Sequence, residues 1–251
     1  MTTVTSKLLQ EEAWCRGCQS RLLSSVGEKN GFGLLRCAAC GTVIVDPYPT
    51  DSELADFYSS YHMTDNYIRK ESSKVRRGMG RVRRLLRAKP PGKKFLDVGC
   101  STGTVVEAAR QLGLTAHGID ISSEAVNVAK KNYGGSASFE TIAIGELAAR
   151  GDMFDMVYTS EVIEHVRDPE GFIADIARVM NPGAVLYLTA PDGGHFSLPG
   201  DFSKWSQVCP PEHLTYFTRR GIICLLQRHG LRAEGFQIAF KPGLKVLARK
   251  S

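Results

Sequence analysis

The segment Phe95-Leu96-Asp97-Val98-Gly99-Cys100-Ser101-Thr102-Gly103 constrains this chain more than any other. A short apolar run ends in an acid, crosses a turn flanked by glycines and opens into a helical pattern. Such a strand-turn-helix brings backbone close to a ligand. The spacing narrows the choice of ligand. A dinucleotide fingerprint, G-x-G-x-x-G, needs glycine at 101 and 104, where Ser101 and Thr104 stand. A phosphate loop needs Lys and then Ser or Thr after its second glycine, and Gly103 is followed by Thr104 and Val105. The turn suits a nucleoside without phosphates.

From Lys93 onward, strand and helix patterns alternate. Strands are expected near 94–99, 115–120, 136–141, 154–160 and 184–190, and helices near 102–113, 122–133, 143–150 and 169–180. Alternation of this kind argues for a parallel sheet covered on both faces. The tail departs from it. A helix near 218–229 precedes two strand-like runs, Leu231–Phe240 and Leu244–Lys250, joined by Lys241-Pro242-Gly243. Strands joined so tightly must be antiparallel. The expected fold is therefore α/β: a Rossmann-like seven-stranded sheet, parallel but for a terminal antiparallel hairpin.

At 251 residues the chain has room for one such domain and a small appendage. It is 43% hydrophobic and 23% charged, as expected of a soluble globular protein. No apolar run reaches the ~18 residues of a membrane span, and the N-terminus lacks a signal-peptide core, so a cytoplasmic location is expected. The net charge of +6 is unevenly spread. Residues 69–94 carry twelve Lys and Arg against Glu71 alone, a local +11, which leaves the remainder at −5.

Open α/β sheets bind ligands at the carboxyl ends of their strands. Those ends carry Asp97, Asp120 and Thr159-Ser160-Glu161. Asp120, 21 residues after Gly99, can accept both hydroxyls of a ribose. Gly99 lets the backbone approach, Gly103 lets the helix start close to the ligand, and the helix N-terminus offers free N–H groups to a carboxylate. Asp97 suits an ammonium group. Ribose, carboxylate and ammonium together describe S-adenosyl-L-methionine. Asp97-Val98-Gly99-Cys100-Ser101-Thr102-Gly103, Gly118-Ile119-Asp120-Ile121-Ser122 and Phe154-Asp155-Met156-Val157 resemble the motifs of class I S-adenosylmethionine-dependent methyltransferases, over roughly residues 70–251. The resemblance implies cofactor contacts from Asp97, Gly99, Cys100, Ser101, Gly103 and Ser160, with Asp120 on the ribose and Ile121, Gly145 and Glu146 near adenine. The competing reading is a nucleotide-binding Rossmann domain of another kind.

Methyl transfer to oxygen needs an aligned nucleophile and a group to take its proton. Glu161-Val162-Ile163-Glu164-His165 follows the fourth strand of the alternation, and His213 lies in the long loop after the fifth. Glu161, His165 and His213 are the candidate catalytic residues. Two carboxylates and two imidazoles, Glu161, Glu164, His165 and His213, also suit Mg²⁺ or Mn²⁺. E-x-x-E-H followed by a later H-x-x-F/Y-F/W-T resembles the metal site of small-RNA 2′-O-methyltransferases and of ubiquinone-pathway O-methyltransferases. The alternatives are a capping or packing role for His165 and a lone general base at His213.

Cys15-x2-Cys18-x18-Cys37-x2-Cys40-Gly41 carries two knuckles of thiolates, enough to complete a structural Zn²⁺ tetrahedron. Four reduced, buried thiols are the alternative. Glycines and apolar residues between the knuckles point to a hairpin. Together with Asp46-Pro47-x-Pro49 and then Leu54, Tyr58 and Tyr61, the module resembles the N-terminal zinc ribbon and lid of a bacterial branch linked to sugar, glycan and natural-product methylation. The expected organisation is a flexible N-terminus (1–13), a zinc ribbon (14–45), a helical lid and basic linker (46–92) and the cofactor-binding domain (93–251).

Three functions compete. In the first, the chain O-methylates a small molecule, sugar or glycan precursor, phosphorylated or nucleotide-linked acceptors included, enclosed by Tyr58, Tyr61, Tyr67, Trp205, Tyr216 and Phe217. In the second, ribbon and basic helix grip RNA, although few aromatics interleave the cations. In the third, a zinc-ribbon binding protein keeps a vestigial methyltransferase domain.

Overall fold

The computed structural model describes residues 13–54, 71–135, 137–237 and 240–251. Tyr58, Tyr61 and Tyr67 of the expected lid lie outside the described residues.

The central sheet has seven strands: β4 (Lys94–Val98), β5 (Thr115–Asp120), β6 (Ser138–Thr141), β7 (Phe154–Ser160), β8 (Met180–Ala190), β10 (Leu231–Phe236) and β11 (Leu244–Lys250). Their spatial order is β10-β11-β8-β7-β4-β5-β6. The strands β6, β5, β4, β7 and β8 run parallel, and β11 is antiparallel to both β8 and β10. The terminal hairpin read from Lys241-Pro242-Gly243 is therefore present.

The central strands are buried along nearly their whole length because helices cover both faces. Side chains alternate between two cores at the strand period of two. Phe95, Met156, Tyr158, Val185 and Tyr187 meet Val82 and Leu85 of α1 (Glu71–Arg87), Val106 of α2 (Thr104–Gln111) and Val126 of α3 (Ser123–Tyr133). Leu96, Val98, Val157, Leu186 and Leu188 meet Leu147 of α4 (Ile144–Arg150), Ile173 of α5 (Pro169–Arg178) and Ile222 of α6 (Arg219–Arg228). The helix starts follow local chemistry. Ser122, Asp168 and Thr218 accept from the backbone N–H groups of Ala125, Gly171 and Gly221, and Pro169 takes the first position of α5.

The cysteine module is a second sheet. β1 (Leu23–Lys29) and β2 (Phe32–Cys37) form the expected hairpin, closed by Asn30-Gly31 with φ of 51° and 80°. Two positive φ values match the right-handed twist of the flanking strands, which is why Asn-Gly favours this turn. β3 (Val43–Asp46) pairs with β2 on one side. On its other side it pairs with β9 (Thr215–Tyr216), a strand contributed by the loop after β8.

That pairing overturns one expectation. Trp205, Tyr216 and Phe217 do not enclose a substrate. Trp205 and Tyr216 are buried with Phe202, Leu34, Val43 and Val45 in a core between module and loop, and Phe217 is buried in the main core. Large aromatic side chains bring the most apolar area, so they fill the seam that the two sheets share.

Candidate functional site

β4 is flanked by β5 on one side and β7 on the other, so the direction of winding reverses there and a crevice opens at the carboxyl ends. The loop after β4 is tied down by its neighbour. Gly99 and Cys100 both donate backbone N–H bonds to the carbonyl of Ile119 at 2.9 Å. Asp120 accepts from the Ser101 N–H at 2.8 Å and from the Ser122 N–H at 2.9 Å, which fixes its carboxylate between the two loops. Ile121 beside it is 79% exposed, an apolar surface that a flat purine would cover.

Asp97 is buried, and burial pushes its carboxyl up to about 8; the charge of Asp120 adds to the rise and Arg81 opposes it. A ligand ammonium would restore the charged form, so this carboxyl fits the methionine end of the cofactor. Arg81 reaches in from the basic helix and donates to the Tyr158 hydroxyl at 2.6 Å. Reading the segment by charge alone hid this residue. Arg81 is exposed along the helix like its neighbours, and what separates it from them is the guanidinium bond to Tyr158.

The other residues expected near the cofactor also pack or bond within the protein. The missing Cβ of Gly103 faces Phe139 at 2.6 Å and Ala129 at 3.0 Å, and that of Gly99 faces Val162. Both glycines also hold φ near 80°, where a side chain is strained. Cys100 points inward against Gly118, its thiol pushed up by burial. Gly145 faces Asp175, while Glu146 closes the cap of α4 by accepting from the Ala143 N–H at 3.1 Å. Ser160 shares a 2.7 Å hydrogen bond with Thr189.

A second cluster of polar residues is built from the turn after β7 and the loop before β9. His165 directs Nδ1 at the carbonyl of Glu212 and His213 directs Nδ1 at the carbonyl of Gln207, both at 2.8 Å. A carbonyl partner requires an N–H on Nδ1, so each neutral ring presents a lone pair at Nε2. The rings meet edge to face with centroids 4.6 Å apart. Burial lowers the pKa of both, and His213 falls to about 4, with the neighbouring His165 contributing.

Glu164 is fully buried, and neither carboxylate oxygen has a hydrogen-bond partner. Burial raises its pKa well above the carboxylate range, and Glu161 and Glu212 add to the effect. Its Oε1 lies 4.0 Å from Nε2 of His165, too far for a hydrogen bond and suited to two ligands of one ion. Ligand atoms of Glu164, His165 and His213 all fall within 4.8 Å of one another. Glu161 is outside that group. It is exposed at the rim, with φ of 55°, and accepts from the Thr189 hydroxyl at 2.8 Å.

The four module cysteines are free thiols whose sulfurs likewise lie within 4.8 Å of one another, with Cys15–Cys40 at 3.4 Å and Cys18–Cys37 at 3.5 Å. Four sulfurs at ~2.3 Å from one tetrahedral ion would stand slightly farther apart. The donor set fits Zn²⁺.

A model of the family described as a methyltransferase domain matches residues 67–234, more than half of the chain. The chain belongs to the class I S-adenosylmethionine-dependent methyltransferases. It is 32% identical over 175 residues to a ubiquinone biosynthesis O-methyltransferase of Hahella chejuensis, covering 62% of this chain and 74% of that one. A Burkholderia thailandensis protein of the same name is 31% identical over 159 residues, covering 56% and 68%. The crystal structure of magnesium protoporphyrin IX methyltransferase from Synechocystis PCC 6803 with SAH bound shares the fold at a TM-score of 0.57 and 19% identity. That match covers 81% of this chain and 96% of the other. Among its described residues, the methyltransferase has no helix long and apolar enough to cross a membrane.

Proposed function

We propose that this methyltransferase methylates a hydroxyl oxygen of a small-molecule acceptor, with a divalent cation held by Glu164, His165 and His213. The fully buried, unpartnered carboxylate of Glu164 beside two imidazoles carries the reading. A lone buried carboxylate is costly unless it is protonated or paired, and Mg²⁺ or Mn²⁺ would pair it. The relatives named as O-methyltransferases of ubiquinone biosynthesis support oxygen as the atom methylated.

S-adenosylmethionine supplies a methyl group on a sulfonium, and a bound divalent cation lowers the pKa of an acceptor hydroxyl and fixes its position. The chain's own residues do the alignment. Asp120, held by two backbone N–H groups, takes the ribose, and Ile121 backs the adenine. Asp97 takes the ammonium group, and Arg81, whose charge is felt at Asp97, is the candidate partner of the carboxylate. Glu161, fixed by Thr189 at the rim, orients the acceptor. Alignment of this kind is worth effective molarities of ~10⁵ M or more. Zn²⁺ on Cys15, Cys18, Cys37 and Cys40 is structural, because four thiolates leave no open position.

The RNA alternative gains nothing from these relatives, and the basic helix carries no aromatic residue between 71 and 87 on which bases could stack. Sugars, nucleotide-linked sugars and phenols belong together in one acceptor panel, assayed with Mg²⁺ or Mn²⁺. Turnover on a member of that panel should stop with a chelator and in Glu164→Gln. Turnover that survives both would remove the cation from the mechanism.

A further inference from the structure

His213 stands on a stretch of irregular chain that is bonded within itself, through Gln207 and Cys209, and anchored from outside. The turn carrying it closes on the carbonyl of Cys209, which accepts from the N–H groups of Glu212 at 3.0 Å and His213 at 3.3 Å. Upstream, Asn30 at the tip of the β1–β2 hairpin donates its amide N–H to the carbonyl of Pro210 at 2.9 Å. Downstream, Val45 donates its N–H to Leu214 at 3.1 Å, and β3 pairs with β9. The Tyr48 and Thr215 hydroxyls share a hydrogen bond at 3.2 Å. Thr218 then donates its hydroxyl to the carbonyl of Cys40 at 2.6 Å. All of these outside partners belong to residues 30–48, in or next to the cysteine module. The opposing face is held by Glu164, whose backbone carbonyl accepts from Leu214 at 2.8 Å and Thr215 at 3.3 Å. His213 is thus located between module and turn, and the Tyr48 hydroxyl reaches both, through Thr215 and through the carbonyl of Val166 at 3.5 Å.

The cofactor side shares none of these bonds. The loop after β4 is fixed by Ile119 and Asp120 within the central sheet. The two halves of the site are therefore held by different parts of the chain.

We propose that the cysteine module is a positioning element of the acceptor site: through Asn30 and Tyr48 it holds His213 opposite His165 and Glu164, and it leaves cofactor binding untouched. The proposal rests on the reading of Glu164, His165 and His213 as the acceptor-side group. Asn30 and Tyr48 are positioning residues that touch neither cofactor nor acceptor.

The test uses the full, zinc-loaded chain carrying Asn30→Gly and Tyr48→Phe together. Glycine keeps the positive φ of the turn and removes only the amide, and phenylalanine removes only the hydroxyl. Three quantities are compared with the unsubstituted chain: amide hydrogen exchange of residues 207–217, Mn²⁺ affinity by electron paramagnetic resonance, and SAH affinity by calorimetry. Exchange in 207–217 should accelerate about tenfold and Mn²⁺ affinity fall at least about fivefold, with SAH affinity unchanged within about twofold. Unchanged exchange overturns the proposal. So does a parallel loss of SAH affinity, which would mark general loosening. An unsubstituted chain that binds no Mn²⁺ would remove the cation reading alone, and the exchange of 207–217 would still decide whether the module positions His213.

Discussion

At the scale of single residues, the site is organised by carboxylates that the chain keeps from water. Asp97 retains a proton in the folded chain at pH values where the unfolded chain has released it, because its pKa rises from 3.8 to about 8. The folded state then binds more protons, so this group's contribution to stability is complete at low pH and is lost as pH rises from about 4 to about 8. Apo Asp97→Asn should show a flatter fall in melting temperature over that window than the native chain; parallel curves would mean that Asp97 is ionised throughout. Asp120 has a separate duty. Asp120→Ala removes the acceptor for two loop N–H groups and, on the proposed reading, for a ribose, so SAH affinity measured by calorimetry should fall about 10–100-fold. The acids could be found from sequence because they end apolar runs. The roles of Gly99 and Gly103 could not be found that way, since the side chains filling their missing-Cβ space, Val162, Phe139 and Ala129, come from other elements.

At the scale of elements, periodicity located the strands and helices of the central sheet to within a few residues. The strands β4 and β7 are short apolar runs bounded by turn residues, and α3, α5 and α6 start at Ser, Asp and Thr caps. β9 escaped because two residues have no period. Trp205 and Tyr216 were misread for a related reason: an aromatic in a loop looks the same in sequence whether it lines a pocket or a core. Trp205→Ala therefore tests the assignment. It should destabilise the chain by about 3–5 kcal/mol in urea unfolding, the range for a large aromatic removed from a core. A loss confined to acceptor KM would return Trp205 to the pocket. The basic helix divides along the same line. Val82 and Leu85 are buried and Arg76, Arg77, Arg81, Arg83, Arg84 and Arg87 are exposed, with Arg81 also bonded to the central sheet through Tyr158.

At the scale of the whole molecule, two sheets share one seam. A chain shortened by residues 1–45 would uncover Trp205, Phe202, Tyr216 and Leu214 together, and an exposed apolar patch of that kind drives association. The shortened chain should elute as aggregates in size-exclusion chromatography and bind a hydrophobic dye. A well-behaved monomer would show that the module is dispensable to the fold.

The sequence by itself determined the order of strands and helices, the antiparallel finish, the glycine-flanked turn after β4 and the two cysteine pairs that come together as one cluster. These are written in short-range signals: period, caps, turn residues and spacing. Only the tertiary structure decided that the cysteine module lends a strand to the loop of His213, that Arg81 reaches the hydroxyl of Tyr158, and that Glu164 is left buried without a partner. Each of those depends on pairs of residues tens to well over a hundred positions apart, and their meeting follows from the packing of the whole chain.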